Sequence, residues 1–294
     1  MDVLNQLFST FRVESEIFYN VQYCGNWAID TSGTQNITFH LVTHGKCELL
    51  TSANVSEVIG LTVGDIVIFP RDMKHQLCNN ASIEHCVNVL DSPIPFSEGL
   101  KESSTGLLCG CFSHRHPQIT QLTSQLPDYI IIRRESAEDD SLCKLIQVLI
   151  NESQSHQNDS IYILNKLSET ILALIFRDHL NVEKGLLAAL AHPKLYVAIS
   201  AMHSAPETKW TVEMLANKVN MSRGSFSSLF KELVEISPIE YLTQWRLSKA
   251  YRILADEKES VLAVALQCGY DNESSFSKAF KRVMGVSPGE IRAR

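Results

Sequence analysis

Several features that define common protein classes are missing from this chain of 294 residues. No apolar run approaches the ~18 residues of a membrane-spanning helix, so a membrane protein is not expected. The start, Met1-Asp2-Val3-Leu4-Asn5-Gln6, lacks the basic region of a secretory signal, which predicts a cytoplasmic protein. No two of the eight cysteines form a Cys-x-x-Cys pair, so a zinc ribbon is not indicated.

The chain also lacks the net positive charge that is typical of proteins that bind nucleic acids. It carries 26 Lys and Arg against 33 Asp and Glu, a formal net charge of −7. The charge is unevenly distributed, because residues 190–294 hold 14 basic and 11 acidic residues, a net charge of +3. A contact with DNA would therefore be confined to this part of the chain, where a limited set of contacts must supply sequence preference.

The C-terminal third contains the same helical sequence twice, and Ser-Pro follows each copy. Residues 222–231 read SRGSFSSLFK, and residues 272–281 read NESSFSKAFK. A period of about fifty residues indicates an internal duplication. Ser222 and Asn272 are predicted N-caps, since their side-chain oxygens can accept the free amides of a first helical turn. Helical spacing directs one apolar face of each copy inward, namely Phe226, Leu229, Phe230 and Leu233, and Phe276, Ala279, Phe280 and Val283.

A shorter helical run precedes each copy, at residues 211–219 and 261–270. This order predicts two helix-turn-helix units, whose second helices enter the DNA major groove. A connecting helix from Pro238 to about Leu254 would be ~25 Å long, enough to hold both recognition helices near the ~34 Å repeat of the duplex. The predicted DNA-binding residues are Arg223, Gly224, Ser225, Ser227, Ser228 and Lys231 in the first helix, and Glu273, Ser274, Ser277, Lys278 and Lys281 in the second.

Further motifs surround these helices, namely Trp210-Thr211-Val212, Met221-Ser222-Arg223, Trp245-Arg246-Leu247, Gly269-Tyr270 and Gly285-Val286-Ser287-Pro288. Over roughly residues 190–294 the sequence closely resembles the DNA-binding domain of the AraC family of bacterial transcription regulators. The resemblance implies double-stranded DNA and RNA polymerase as partners, and a role as an activator. Gly224 stands where some family members have a large side chain, so base contacts by the first recognition helix are expected to be sparse.

Residues 1–134 show the alternating pattern of antiparallel β-structure, at 37–42, 47–50 and 65–70. The segment Gly64-Asp65-Ile66-Val67-Ile68-Phe69-Pro70 followed by His75 resembles the second signature of cupin barrels. With Leu107-Leu108-Cys109-Gly110, it is similar to the cupin-type sensor domain of one AraC subgroup, which includes a reactive-chlorine-responsive activator. The predicted fold class is therefore α+β, with an antiparallel cupin-like β-barrel, then helices, then an all-α double helix-turn-helix domain.

Histidines of the barrel are one candidate receiver of a signal. His40 and His75 could form a pair that holds a metal ion or another ligand, or they could be a hydrogen-bonded barrel histidine and an exposed one. A metal ion is the one cofactor left open. Enzymatic cupins use a His-x-His pair, which is missing here, so the chain is not expected to be an enzyme. A metal-dependent cupin enzyme and a DNA-binding protein with an inert barrel are the alternatives to a regulator.

Cysteines are the second candidate receiver. Cys24 lies in a polar, turn-like context, and the subgroup resemblance favours Cys24 with Cys109 as a redox-sensing pair. A reactive thiol needs access and a lowered pKa, and the alternative for both is burial as small hydrophobic residues. Cys143 and Cys268 lie on apolar helix faces and are expected in the core.

Residues 135–180 show two helical stripes separated by a polar break at 151–159. The resemblance implies that this segment makes a homodimer, and the alternative is packing within one chain. Residues 181–189 are the predicted linker to the DNA-binding domain at 190–294. The stripes consist of Leu142, Leu145, Ile146, Leu149 and Ile150, and of Ile161, Leu164, Leu167, Ile171, Leu174 and Ile175.

Overall fold

The alternating pattern of the N-terminal half and the helical pattern of the C-terminal third produce two units of different architecture. The computed structural model describes residues 3–11, 13–51, 54–80, 93–113, 123–124, 126–134, 141–155, 160–179, 183–257 and 259–293. Residues 13–113 and 126–179 form one unit, termed the β unit. The described residues among 1–12, 114–125 and 180–294 form the other, termed the helical unit.

The strands of the β unit form two antiparallel sheets. They are β1 (Glu14–Tyr23), β2 (Ala28–Ile29), β3 (Ile37–His44), β4 (Lys46–Thr51), β5 (Asn54–Thr62), β6 (Ile66–Phe69), β7 (His75–Cys78), β8 (Ile94–Pro95), β9 (Thr105–Ser113) and β10 (Ile130–Ile132). The strand orders are β10-β6-β3-β9-β1-β8 and β2-β7-β4-β5. The predicted antiparallel fold is confirmed, although hydrogen bonding gives two sheets and not one closed barrel.

Apolar side chains from both sheets form the core of the β unit. Val42, Phe69 and Leu107 come from the larger sheet, and Leu49 and Leu77 from the smaller one. All five are almost completely buried. Because alternate residues of a strand share a face, this pattern directs one face of each sheet to the common core.

Two helices follow the strands, α2 (Ser141–Ser153) and α3 (Ser160–Leu174), and a π-helical turn at Ile175–His179 extends the second. The two helices pack on each other, and α3 also packs on β1. Its Asn165 and Glu169 side chains accept hydrogen bonds of 3.1 Å from the backbone amides of Ile17 and Ser15. The alternative of packing within one chain is therefore realised for this face of α3.

The apolar stripes of these helices are mostly buried, as predicted. Leu142, Ile146, Leu164 and Ile171 are each at most 3% exposed. Ile161, at the start of α3, is the exception, since it is 57% exposed. It precedes the register in which α3 contacts the sheet.

The helical unit is built from the remaining helices. They are α1 (Val3–Phe11), α4 (Leu186–Ala191), α5 (Pro193–Ser204), α6 (Val212–Lys218), α7 (Arg223–Val234), α8 (Pro238–Asp256), α9 (Val261–Gln267), α10 (Glu273–Met284) and α11 (Pro288–Ala293). Helix α1 packs on α5 and α8 and buries Val3, Leu7 and Phe11. It therefore belongs to the helical unit, whereas the sequence placed residues 1–134 in one domain. Of the predicted linker at 181–189, residues 181 and 182 lie outside the described residues, and residues 186–189 are not a linker, because they belong to α4, which packs on α5 and α7.

Helix α8 is the predicted connecting helix. Its 19 residues begin at Pro238 after the N-cap Ser237, and at ~1.5 Å per residue they span ~28 Å. Trp245 is 5% exposed and stacks on His203 with ring centroids 3.6 Å apart. The predicted burial of Trp245 is thus confirmed. Within the described parts of the chain, no helix is both long and apolar enough to span a membrane.

Candidate DNA interface and signal-receiving site

The first helix-turn-helix unit consists of α6 and α7. Asn220, between the two helices, has a left-handed backbone with φ of 53°, and the Met221 amide donates to the Ala216 carbonyl at 3.0 Å. The Ser222 hydroxyl accepts the Ser225 amide at 3.1 Å, which confirms the predicted N-cap. The cap fixes where α7 begins, and so which side chains face outward.

The second unit, α9 and α10, repeats this construction. Gly269 takes the left-handed position with φ of 78°, and a Cβ atom there would lie 2.8 Å from the Glu207 carbonyl oxygen. The Tyr270 amide donates to the Ala265 carbonyl at 2.9 Å. The Asn272 side chain accepts the Ser275 amide at 2.8 Å, so the second predicted N-cap is also confirmed. The duplication in the sequence is therefore a duplication of structure.

The predicted DNA-binding residues lie opposite the buried phenylalanines of each recognition helix. Phe226, Phe230, Phe276 and Phe280 are completely buried. Ser227 and Ser277 are half-buried, and the other predicted contact residues are exposed, namely Arg223, Gly224, Ser225, Ser228 and Lys231 on α7, and Glu273, Ser274, Lys278 and Lys281 on α10. In each recognition helix, the predicted contact residues therefore lie on the side that faces solvent.

The two outward faces differ in charge. On α7, Arg223 and Lys231 are accompanied by exposed Glu232 and by exposed Glu235 at the C-cap. On α10, Glu273 is outnumbered by three exposed cations, Lys278, Lys281 and Arg282. Arg282 was not predicted, although it directly follows Lys281 in the sequence. The outward face of α10 is therefore more positively charged than that of α7.

His40, His75 and Thr31 form a cluster inside the β unit. The two Nε2 atoms are 2.8 Å apart, and the Thr31 hydroxyl oxygen is 3.1 Å from each of them. His40 is 1% and His75 2% exposed. The predicted pairing of the two histidines in space is therefore realised, but neither is the exposed histidine of the alternative. The His75 ring stacks on Phe69 with centroids 3.7 Å apart, which fixes its orientation.

The protonation of this cluster follows from its hydrogen bonds. His75 Nδ1 lies 2.7 Å from the Met73 carbonyl oxygen, which only accepts, so Nδ1 carries the proton and Nε2 accepts. His40 Nε2 then donates to His75 Nε2, while His40 Nδ1 is buried with no hydrogen-bond partner among the described residues. Burial lowers the pKa of both imidazoles, that of His40 well below its usual value. The pair is neutral at pH 7.

A resident metal ion does not fit this donor set. Catalytic zinc sites use three protein ligands, and structural ones use four. Within the described ranges no group of three or more His, Cys, Asp or Glu side chains could hold a metal ion, and the third atom here belongs to a hydroxyl. The distance between the two nitrogens is that of a hydrogen bond. What the cluster offers instead is a neutral, hydrogen-bonded imidazole pair in an apolar core, with His40 Nδ1 as a buried nitrogen that has no hydrogen-bond partner among the described residues.

The two predicted redox cysteines lie in different surroundings. Cys109 is completely buried on β9, directly opposite His40 on β3, and burial raises the pKa of its thiol. Cys24 is half-buried just beyond the end of β1. Cys109 pairs with Tyr19, five residues before Cys24, which separates the thiols by ~16 Å along the strand. A disulfide needs Cα atoms within about 7 Å, so the two cannot join in this conformation.

Cys143 and Cys268 were both expected in the core. Cys268 is completely buried beside Phe276 and Phe280. For Cys143 the expectation was wrong, since its side chain is half-buried and lines an open cleft of the β unit. The helical turn that buries Leu142 directs the next residue toward the edge of the stripe. All the described cysteines are free thiols.

Comparison with known proteins finds two families along the chain. A family described as Cupin matches residues 2–181, and one described as Helix-turn-helix domain matches residues 215–294. The chain is 30% identical to the RCS-specific HTH-type transcriptional activator RclR of Escherichia coli strain K12, over 100% of this chain and 98% of that protein. It is 29% identical to the HTH-type transcriptional regulator AlkR of Acinetobacter baylyi, with 99% of each covered. A solved transcriptional regulator from Chromobacterium violaceum, with an AraC-type DNA-binding domain, is 30% identical over 36% of this chain and 94% of that one, with a TM-score of 0.35.

Proposed function

The chain belongs to the AraC family of transcription regulators and carries a cupin domain, and we propose that it activates transcription when the cupin domain receives a signal. The observation that carries the proposal is the pair of capped recognition helices with exposed cations and hydroxyls, joined by one continuous helix. The cations are assigned to phosphates, which position a protein without reading sequence.

We assign sequence preference to outward-facing side chains in the first two turns of each recognition helix. Ser227, Ser274 and Ser277 can bond to base edges, and the Glu273 carboxylate can accept from the N4 amino group of cytosine. Gly224 has no side chain, so it adds no side-chain contact to a base. The second helix therefore supplies more of the readout than the first.

Selection of bound sequences from a random DNA library by the purified full-length chain tests this function. We expect a site with two conserved blocks one helical turn apart, since each recognition helix would enter one major groove. Glu273→Gln should relax the preference in one block only. Enrichment of no sequence at all would overturn the proposal.

The signal has two candidates, and different observations support each. The half-buried position of Cys24 supports an oxidant, as does the similarity to an activator whose name specifies reactive chlorine species. The buried His40–His75–Thr31 cluster supports a ligand, because His40 Nδ1 is buried with no hydrogen-bond partner among the described residues, and burial of such a nitrogen costs free energy that a ligand could recover.

A transcription reporter with and without hypochlorous acid separates the two candidates. If thiols receive the signal, Cys24→Ser or Cys109→Ser abolishes the response and leaves basal DNA binding intact. Because the two thiols are far apart, a disulfide between them would require β1 to leave β9, and thiol mapping by mass spectrometry would detect it. If a ligand is the signal, the serine variants respond normally, and His40→Gln or His75→Gln abolishes the response.

Besides DNA, the proposed partners of the chain are RNA polymerase and a second copy of the chain. An activator of this kind acts on RNA polymerase in the cytoplasm. The first turn of α3 exposes Ile161 (57%), Tyr162 (72%) and Ile163 (45%), which supports a homodimer through this end of the helix. Tyr162→Lys should shift the sedimentation of the full-length chain from dimer to monomer, whereas Lys74→Gln, at an exposed cation elsewhere in the β unit, should not.

A further inference from the structure

The two helix-turn-helix units share helix α8, and they also contact each other through the segments that precede α6 and α10. On the side of the first unit, the contact involves residues 206–209, which lead into α6. On the side of the second unit, it involves residues 269–271, the turn between α9 and α10. Arg246, in the middle of α8, contacts both segments. These residues are termed the junction.

The guanidinium of Arg246 binds the backbone of the first segment. Its Nε donates to the Pro206 carbonyl at 2.5 Å, and its Nη2 donates to the Thr208 carbonyl at 2.8 Å. The donors lie in one rigid plane, so together they fix the position of both carbonyls, which a flexible ammonium would not do. The start of α6 is thereby attached to α8, because its N-cap Thr211 follows three residues after Thr208.

Gly269 brings the second segment against the first. A Cβ atom at this position would lie 2.8 Å from the Glu207 carbonyl oxygen, 2.9 Å from Glu207 Cα and 3.0 Å from Arg246 Nη2. The close approach therefore requires glycine for space, in addition to the left-handed φ of 78°. The same two segments are joined by an ion pair of 3.0 Å between Lys209 and Asp271, which is exposed and so contributes little by itself.

The junction lies next to the start of the second recognition helix. Asn272, the N-cap of α10, directly follows the turn at 269–271. The body of α10 is attached separately, because Phe276 and Phe280 pack in one core with Leu254 of α8. Two attachments at different places oppose a rotation of α10 about the α8 axis that either one alone would permit.

We propose that the junction sets the spacing between the two DNA blocks that the chain reads, with Arg246 and Gly269 as its positioning residues. Both act without touching DNA, by holding α10 in one orientation relative to α7. The inference rests on the proposed reading of two major grooves by one chain, and it adds what determines their separation. One inserted base pair moves a block by about 3.4 Å and turns it by about 35°, so a rigid pair of helices must lose contacts at one block.

The test compares the selected site with the same site carrying one inserted base pair between its blocks. Fluorescence anisotropy of the full-length chain gives a dissociation constant for each site, and the ratio of the two constants is the spacing penalty. A variant that is merely less stable binds both sites more weakly by the same factor, so its penalty does not change. For the wild type we expect a penalty of about tenfold or more, since one misplaced base contact costs about that much.

Arg246→Gln removes the planar clamp on the first segment, and Gly269→Ala forces the two segments apart. Each should lower the penalty to about twofold to threefold, because α10 can then follow the displaced block and regain its contacts. Gly285→Ala and Arg252→Gln are the matched controls and should keep the wild-type penalty. Gly285 has a similar φ of 76° but open space around it, and Arg252, also on α8, pairs with Glu257.

A wild-type penalty in both junction variants would overturn the proposal, as would a wild type that binds both sites equally. The orientation of α10 is also measured without DNA, from the distance between spin labels on ketone-bearing residues that replace exposed Glu232 on α7 and exposed Lys278 on α10. This chemistry leaves the native thiols unlabelled. We expect a narrow distance distribution in the wild type and the controls, and a wider or shifted one in the junction variants.

Identical distance distributions in the wild type and the junction variants would likewise overturn the proposal. Because this measurement does not involve DNA, its failure is distinguishable from a failure of the proposed regulatory function, which the library selection reports.

Discussion

His203 should make the stability of the helical unit depend on pH. The imidazole is 4% exposed, its Nε2 is 2.7 Å from the Tyr241 hydroxyl, and its ring lies flat on Trp245. Its Nδ1 is buried with no hydrogen-bond partner among the described residues, so a proton added there would be unsolvated. Burial accordingly lowers the pKa of His203 to about 3.

The direction of the pH effect on stability follows because the pKa of His203 is lower in the folded chain than in the unfolded chain, where it is about 6.5. As the pH falls, His203 of the unfolded chain binds a proton before His203 of the folded chain does. The contribution of the neutral imidazole to the free energy of unfolding is therefore fully present above pH 6.5 and is lost as the pH falls toward 3. At pH 5, with the unfolded imidazole almost fully charged and the folded one neutral, the free energy of unfolding drops by about 2 kcal/mol. That is a large fraction of the stability of a small domain.

Hydrogen exchange of the α8 amides, corrected for the intrinsic effect of pH, measures this loss in the full-length chain. The expected change between pH 7.5 and pH 5 is about a 30-fold rise in the opening constant. In His203→Phe, which keeps a ring against Trp245 but cannot titrate, that rise should largely disappear while the overall protection is lower. Equal protection of wild-type α8 at the two pH values would refute the assignment of His203 as a buried neutral group.

Three further predictions concern the helical unit. Trp245→Ala should lower its free energy of unfolding by about 3 to 5 kcal/mol, since it removes a buried indole, and an unchanged melting temperature would contradict the packing of α8. Gly285→Ala should lower the free energy of unfolding by about 1 kcal/mol, because the φ of 76° at this position is left-handed. Gly224→Ala should raise it by up to about 1 kcal/mol, because this position is helical and has open space around it. Melting temperatures that shift in the same direction in both variants would contradict this pair of predictions. Lys231→Ala, Lys278→Ala and Lys281→Ala should each flatten the slope of log affinity against log salt by about 0.9 in fluorescence anisotropy, with Lys166→Ala as the control that leaves it unchanged.

The helix-turn-helix units were predictable because local signals define them. Ser222 and Asn272 fix the starts of α7 and α10, and the apolar spacing after each cap fixes the buried face. These signals act within about ten residues, so tertiary context does not have to be known. The strands were found for the same reason, from alternation over short stretches.

The parts that escaped prediction depend on contacts between distant segments. Thr31 joins His40 and His75 from a segment without regular structure, and nothing in its neighbourhood marks it as a partner. The distance between Cys24 and Cys109 follows from strand register, which pairs residues about ninety positions apart. Helix α1 did carry a signal that was not used, because Val3, Leu7 and Phe11 recur at intervals of four and are its buried face.

The central claim, that one chain reads two adjacent major grooves through helices held apart by α8, is tested by hydroxyl-radical footprinting of the full-length chain on its selected site. We predict two protected blocks about 10 base pairs apart on one face of the duplex, and Lys278→Ala should weaken protection at one block. Inserting about 5 base pairs between the blocks rotates one of them to the opposite face, and protection of that block should be lost. A single protected block, or full protection of both after the insertion, would contradict the claim.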